Sequence, residues 1–214
     1  MIIGRANQID YAYLAIPRTS SNSMIWWLRQ HYGGWQHGHH HSWKLPEGGV
    51  YDQIFTIIRH PYFRAISLYR NVIRTGKANE RPWGKIHGFT DFLLRLIELS
   101  TNIEQTAYTV PEWMVNQATY CDLAHVDTVL YLDYLSGMDE EELRKLRFVN
   151  QEKKIFKYPH RNKTPEHYGR SDYDSLRPFD YRDIIEEQER LIFEWAREDF
   201  ERFGFIRFLG DIVS

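Results

Sequence analysis

Residues 11–32 read YAYLAIPRTSSNSMIWWLRQHY. The run Tyr11–Ile16 is short, apolar and aromatic, and Pro17 ends it, which predicts a buried strand. Residues 19–23 are small and polar. Apolar side chains then recur at helical spacing, at Met24, Trp27, Leu28 and Tyr32. This stretch therefore predicts a strand, a tight polar loop and a helix.

The same alternation continues along the chain. Ile54–Ile58 is a continuous apolar run, typical of a strand buried on both faces of a parallel sheet. Pro61 suits the first turn of a helix that runs to about Thr75, and Val129–Leu132 predicts a third strand. Three more helices are predicted, at Phe89–Leu99, Asp139–Arg147 and Tyr181–Phe203, the last ended by Gly204. We expect one α/β domain over residues 1–214, with a mainly parallel central sheet flanked by helices.

The composition narrows the classes of partner. Lys and Arg number 27 against 29 Asp and Glu, a net charge of -2, so no overall positive field favours nucleic acid. The single cysteine, Cys121, cannot form an internal disulfide. Met1–Asp10 has no long apolar run, and no stretch approaches about 18 apolar residues. We expect a cytoplasmic protein without a signal peptide, a membrane span or a nucleic-acid partner.

The polar loop Pro17–Ser23 (PRTSSNS) suits a phosphate or a sulfate. A helix start presents N–H groups and a positive dipole end, hydroxyl and amide side chains add donors, and Arg18 adds a positive charge. The alternative is an ordinary helix cap. The ATP-type pattern G-x-x-x-x-G-K-[ST] is absent. The predicted anion-binding residues are Arg18, Thr19, Ser20, Ser21, Asn22 and Ser23.

A second candidate phosphate site follows the second strand. Arg59 closes Ile58-Arg59-His60-Pro61, and Ser67 follows eight residues later, almost two turns into the predicted helix. Arg59 could grip a phosphate at the strand end while Ser67 donates its hydroxyl. The alternative is that Arg59 pairs with a surface carboxylate and Ser67 is a small packing residue.

Together these motifs resemble the sulfotransferase superfamily. Pro17–Ser23 is similar to its 5′-phosphosulfate loop, P-[KR]-[TS]-x-[GST]-[TSN]-[ST]. Arg59–Tyr69 is similar to its 3′-phosphate segment, R-[DN]-P-x-x-R-x-x-S-x-Y. Val126–Leu135 and Asp199–Phe205 resemble later segments of the family more weakly. The chain departs from the family pattern in having Arg18 where many members have Lys, and His60 where Asp or Asn is usual.

The resemblance implies a P-loop NTPase-like sulfotransferase fold and a reaction. The donor would be 3′-phosphoadenosine 5′-phosphosulfate (PAPS), the nucleotide product PAP, and the acceptor a hydroxyl of a carbohydrate or small molecule. No metal is implied. Arg161 and Lys163, in the basic segment His160–Thr164, would fold over the nucleotide as a late basic loop does in the family; a solvated loop is the alternative, and Arg170 is a weaker candidate.

A histidine cluster, His37–His41 (HGHHH), lies between the two phosphate motifs. Transfer to a hydroxyl needs a base, and imidazole titrates near neutral pH. His37-Gly38-His39 resembles the His-Gly-His of the uronyl 2-O branch, which implies His39 as base and His37 as a supporting group. A metal site and a solvated loop are alternatives, and Glu47 and Asp52 are the nearest other bases.

Two other functions remain open from the sequence. A phosphoryl-transfer enzyme would need a Mg²⁺-binding carboxylate and a phosphate-loop lysine, and the loop has neither glycine nor lysine. A non-catalytic nucleotide-binding module would keep the phosphate sites alone. The acceptor is not defined, although five tryptophans could stack on sugars or on each other: Trp26, Trp27, Trp35, Trp43 and Trp83.

Overall fold

The computed structural model describes residues 1–39, 41–42, 44–75, 84–101, 114–123, 125–133, 137–150, 155, 158 and 181–213. The chain has an α/β architecture and divides into two compact units, each built from two chain segments. The first unit comprises Met1–Arg59 and Thr119–Lys163, and the second comprises His60–Ala118 and Thr164–Ser214.

The first unit holds a mixed sheet. Its strands are β1 (Ile2–Ala6), β2 (Ile9–Leu14), β3 (Trp35–Gln36), β4 (Gln53–Arg59), β5 (Thr128–Asp133) and β6 (Gly137–Met138). Their spatial order is β3-β1-β2-β4-β5-β6. The central strands β2, β4 and β5 are parallel, whereas β1, β3 and β6 pair antiparallel with their neighbours. The strands predicted at Tyr11–Ile16, Ile54–Ile58 and Val129–Leu132 are confirmed as these central three.

The antiparallel strands correct the expectation of a mainly parallel sheet. β1 and β2 form a hairpin whose two turn residues, Asn7 and Gln8, have φ of 49° and 66°. A two-residue hairpin turn needs such left-handed residues, which are usually Asn or Asp followed by Gly. Because Gln8 occupies the position where Gly is common, the sequence lacks the usual signal of this turn. For that reason β1 was not predicted.

One core joins the sheet of this unit to its helices. Met24, Trp27 and Leu28 of α1 (Ser21–His31) are fully buried in the same cluster as Tyr11 and Tyr13 of β2. A shorter helix, α5 (Glu140–Arg144), adds its Leu143 to the cluster. Burial of these side chains fixes the end of β2 and the start of α1, and with them the loop between.

The second unit is helical in the residues described. Its helices are α2 (Pro61–Arg74), α3 (Phe89–Thr101), α6 (Glu186–Trp195), α7 (Arg197–Phe203) and α8 (Leu209–Val213), with a 3₁₀ turn at Tyr181–Asp183; α4 (Gln117–Leu123) begins in this unit and continues into the first. No helix in the part of the chain described is long and apolar enough to cross a membrane.

The prediction of one continuous helix over Tyr181–Phe203 is wrong. Ile185 is extended, and the Gln188 side chain accepts its N–H at 3.2 Å, which starts a new helix. The chain bends again at Ala196, whose φ of -114° is outside helical values. The apolar spacing continues across both breaks, which are only two residues and one residue long, so it did not indicate them. The predicted stop at Gly204 is confirmed, with φ of +65°.

Candidate functional site

The loop between β2 and α1 has an unusual backbone. Arg18 and Ser20 have φ of 71° and 65°, in the left-handed region that residues other than glycine rarely adopt. Ser20 precedes the first residue of α1 and makes no side-chain cap hydrogen bond. A left-handed residue followed by a helical one turns successive N–H groups towards one side, a geometry that binds anions. The loop is therefore not the ordinary side-chain cap that the sequence left open for Ser20.

Buried contacts hold this backbone in place. The Thr19 hydroxyl, fully buried, donates to the carbonyl oxygen of Ile16 at 2.9 Å. The Tyr158 hydroxyl lies 3.2 Å from both the carbonyl oxygen and Oγ of Ser20. A geometry that costs free energy persists when its surroundings fix it, and such positions concentrate at functional sites.

The start of α1 presents backbone donors. Its first intrahelical bonds run from the N–H groups of Ser23 and Met24 to the Ser20 carbonyl, at 3.0 and 3.2 Å. The N–H groups of Ser21 and Asn22 thus precede the helical ladder, as the first donors of any helix do. Ser21 and Ser23 are buried, and Asn22 is exposed.

Arg59 lies at the end of β4, beside the loop. β2 and β4 are parallel, so their carboxyl ends meet at one edge of the sheet, where ligands of open α/β sheets bind. The Arg59 Nη1 atom is 3.5 Å from the Arg18 carbonyl oxygen. Two half-buried arginines therefore belong to this edge, and both suit an anion.

The structure places His41 against the end of β2. Its Nδ1 lies 2.6 Å from the carbonyl oxygen of Ala15, and the Tyr120 hydroxyl donates to its carbonyl oxygen. His39 is exposed, and its Nδ1 accepts the His41 N–H at 3.4 Å. The His-Gly-His resemblance implied His39 and did not point to His41, because the contact of His41 with Ala15 spans 26 residues.

The backbone of the histidine segment is tied to Met1. The Met1 amino group donates to the carbonyl oxygens of His39 at 2.7 Å and His37 at 3.4 Å. The N–H of His37 donates to the Met1 carbonyl at 3.2 Å. The roles predicted for the His37 and His39 rings stay predictions.

Tyr13 also lies in this region, and the sequence analysis did not identify its hydroxyl as a functional group. Its side chain is fully buried, and its hydroxyl has no hydrogen-bond partner among the described residues. Burial, with smaller effects from Tyr158 and Tyr120, raises the pKa of this hydroxyl well above its ordinary value. The apolar, aromatic run YAYLAI predicted a buried strand, and the unpartnered Tyr13 hydroxyl follows only from the tertiary packing.

Several predicted site residues cannot be joined to this loop. Ser67 is half-buried on α2 in the second unit and Arg59 belongs to the first, so their pairing stays a prediction. His160–Thr164, with Arg161 and Lys163, lies outside the described residues, as do His40, Trp43, Trp83 and Arg170. Within the described ranges, no three His, Cys, Asp or Glu side chains are grouped as a metal site.

The two alternative bases differ in their surroundings. Glu47 is exposed. Asp52 is exposed too, but its Oδ2 accepts the N–H of Asp10 at 2.8 Å, so this carboxylate already has a local structural contact.

His60 starts α2 in the second unit. Its Nδ1 accepts the N–H of Tyr62 at 3.4 Å, so its Nε2 carries the proton that is donated to the Ile206 carbonyl at 2.9 Å. His60 thereby caps the helix, as Asp or Asn at this position would. Burial lowers the pKa of His60 to about 4, partly offset by the bond to Ile206. His60 therefore has a structural role at the start of α2.

Arg64 and Asp199 are both fully buried in the second unit. The Arg64 Nη2 donates to the Val115 carbonyl at 2.8 Å, and its guanidinium lies 5.1 Å from the Trp195 ring centroid. Asp199 accepts from the Gln117 side chain at 3.0 Å and from the Ala118 N–H at 2.7 Å. Burial raises the pKa of Asp199, while the Arg64 charge and these donors lower it. Arg64, from the segment Arg59–Tyr69, and Asp199, from the segment Asp199–Phe205, thus belong to an internal structural network.

Comparison with known proteins finds no match: no family model matches the chain, and neither a curated protein nor a solved structure does. The first unit supplies the anion-binding features and the histidine segment.

Proposed function

We propose that this chain binds PAPS and transfers its sulfuryl group to a hydroxyl of a carbohydrate or small molecule, on a P-loop NTPase-like sulfotransferase fold. The observation that carries this proposal is the left-handed backbone of Arg18 and Ser20 at the start of α1. Such a loop presents N–H groups to an anion at the carboxyl end of a parallel strand.

The side chains of the loop favour a sulfated nucleotide over ATP. An ATP-type loop uses glycines and a lysine, with Mg²⁺ to neutralise the phosphates. Here Arg18 supplies a fixed charge, and hydroxyl-bearing residues replace the glycines. From the motif resemblance we expect Arg59 and Ser67 to contribute to binding of the 3′-phosphate, which ATP lacks, and Arg161 and Lys163 to binding of the nucleotide.

In the proposed reaction a histidine of the 37–41 segment removes the proton of the acceptor hydroxyl as its oxygen attacks sulfur. Negative charge develops on the oxygen that bridges sulfur and the 5′-phosphate. Arg18 and the loop N–H groups stabilise that charge where it forms, which is the most effective place for electrostatic catalysis.

A thermal-shift comparison of PAP with ADP tests the donor. A ligand that binds only the folded state stabilises it by about 2.7 kcal/mol at a hundredfold excess over its dissociation constant. PAP should raise the melting temperature clearly, and ADP at the same concentration should raise it less. Arg59→Ala should remove most of the difference, because a charge-assisted hydrogen bond contributes about 1.5–3 kcal/mol.

The matched control is Arg5→Ala, which removes an exposed arginine of the same sheet whose partner is Asp10 at 3.8 Å. This variant should keep the preference for PAP. Equal stabilisation by ADP with Mg²⁺, unaffected by Arg59→Ala, would replace the proposal with phosphoryl transfer. Binding of PAP without any sulfuryl transfer would leave a non-catalytic nucleotide module.

A further inference from the structure

The bond between His41 and Ala15 fixes where the imidazole proton lies. A backbone carbonyl can only accept a hydrogen bond, so the 2.6 Å contact requires a proton on His41 Nδ1. In the neutral ring the lone pair then lies on Nε2. A bonded partner on one ring nitrogen sets the state of the other in this way.

His39 has the opposite arrangement. Its Nδ1 accepts the backbone N–H of His41, so its neutral ring carries the proton on Nε2. The lone pair of His39 is therefore directed at the backbone of its own segment. Its side chain is also exposed, whereas that of His41 is half-buried.

His41 lies next to the start of the anion-binding loop. Ala15, the residue that follows β2, is fully buried and precedes Arg18 by three residues. Tyr120 of α4, also fully buried, donates its hydroxyl to the carbonyl oxygen of His41. The His41 side chain and backbone are thus both held in place, next to the point at which β2 ends and the anion-binding loop begins.

We propose that His41 is the general base, an inference that depends on the sulfotransferase function proposed above. The proton of the acceptor hydroxyl moves to Nε2 of His41 as the acceptor oxygen forms its bond to sulfur. The bond between sulfur and the bridging oxygen breaks, and its electron pair stays on the 5′-phosphate of the released PAP. Tyr120 is a positioning residue for this base.

The decisive variant is His41→Asn. An Asn side-chain nitrogen occupies the place of Nδ1 and can still donate to Ala15, but nothing replaces the base at Nε2. The readouts are the melting-temperature shift with PAP, and the transfer of radiolabelled sulfate from PAPS to chemically desulfated heparin or to water. We expect the rate to fall roughly 10²–10⁴-fold while the PAP shift is retained.

His125→Asn is the matched control, because His125 is exposed and its φ of 50° suits asparagine. It should keep both readouts. The parental rate should fall on acidification as the base takes up a proton, and His41→Asn should lack this acid limb. In ¹⁵N spectra, the His41 ring should carry its proton on Nδ1, and Tyr120→Phe should reduce the population of that tautomer.

The outcomes separate the two proposals. A parental chain that neither binds PAP nor releases sulfate ends the proposed function, and the base with it. Active parental chain whose His41→Asn variant keeps its rate and acid limb, while His39→Asn loses both, leaves the function standing and moves the base to His39. A PAP shift lost in His41→Asn would make His41 a structural residue of the loop.

Discussion

The Tyr158 hydroxyl lies 3.2 Å from the carbonyl oxygen and 3.2 Å from Oγ of Ser20, the left-handed residue that precedes α1. Tyr158 is 6% exposed, and burial raises its pKa strongly, so the phenol stays protonated and can donate. One buried side chain therefore supports the part of the loop whose backbone is least favourable. Loss of that donor should loosen the loop rather than unfold the chain.

Tyr158→Phe should lower the free energy of unfolding by about 1 kcal/mol, the net value of a typical hydrogen bond. It should also weaken the proposed binding of PAP, because the loop would be less ordered before the ligand binds. Chemical denaturation and calorimetric titration with PAP measure the two effects. Tyr131→Phe, at an exposed tyrosine of β5, is the control and should change neither. Unchanged PAP affinity in Tyr158→Phe would show that the loop does not need this support.

At position 18 glycine should be more stabilising than alanine, whereas inside a helix alanine is the more stabilising residue. Arg18→Gly should be more stable than Arg18→Ala by roughly 1–2 kcal/mol, because a left-handed residue with a Cβ carries that cost. At Leu94, exposed in the middle of α3, Gly should instead be less stable than Ala by about 1 kcal/mol. Denaturation midpoints of the four variants measure both differences. The same order at both positions would mean that Arg18 is not left-handed in solution.

The central strands and the start of α2 were predictable because each has a local cause. Ile54–Ile58 shows its burial as a continuous apolar run, and Pro61 marks the first turn of α2. β1 was not predictable, because its hairpin depends on Gln8 taking a conformation that the sequence does not favour. Burial of β1 in the sheet of the first unit outweighs the local conformational preference of Gln8.

The candidate site divides in the same way. The loop Pro17–Ser23 was predicted from its residue types and from its position between a strand and a helix. The structure adds the left-handed backbone of Arg18 and Ser20, which these residue types do not indicate. The contacts of His41 with Ala15 and of Tyr158 with Ser20 join residues 26 and 138 positions apart, which no local pattern encodes. Sequence reasoning could name the histidine segment, while the choice of ring depends on long-range packing.

Removal of Asp199 should be costly. Asp199→Ala removes a negative charge that acts on the buried Arg64 and leaves the Gln117 side chain and the Ala118 N–H without this acceptor, and a buried donor left unsatisfied typically costs about 1–3 kcal/mol. Asp199→Asn should cost less, since its side-chain oxygen can still accept the Ala118 N–H. Glu198→Ala, at an exposed neighbour, should lie within about 0.5 kcal/mol of the parent. Urea denaturation gives these values, and equal stability of the two alanine variants would contradict the network.

His60 should make the chain less stable as the pH falls from about 6.5 to about 4. Its folded pKa is about 4, against about 6.5 in an unfolded chain, so in this window the unfolded state binds the proton and the folded state does not. The free energy of unfolding therefore rises with pH here, and at pH 4 this residue alone should have removed about 3 kcal/mol.

His60→Asn isolates that contribution. Asn can still accept the Tyr62 N–H as a cap, but it loses the bond to Ile206 and the stacking on the Tyr62 ring, so a constant loss of stability is expected at neutral pH. The difference in unfolding free energy between parent and variant should then shrink towards pH 4, because only the parent has a histidine to protonate at this position. Denaturation at several pH values measures the difference, and the ring resonances of His60 report its titration directly. A difference that stays constant from pH 7 to pH 4, with His60 titrating near 6.5, would show that the ring is hydrated and does not cap α2 in the manner described.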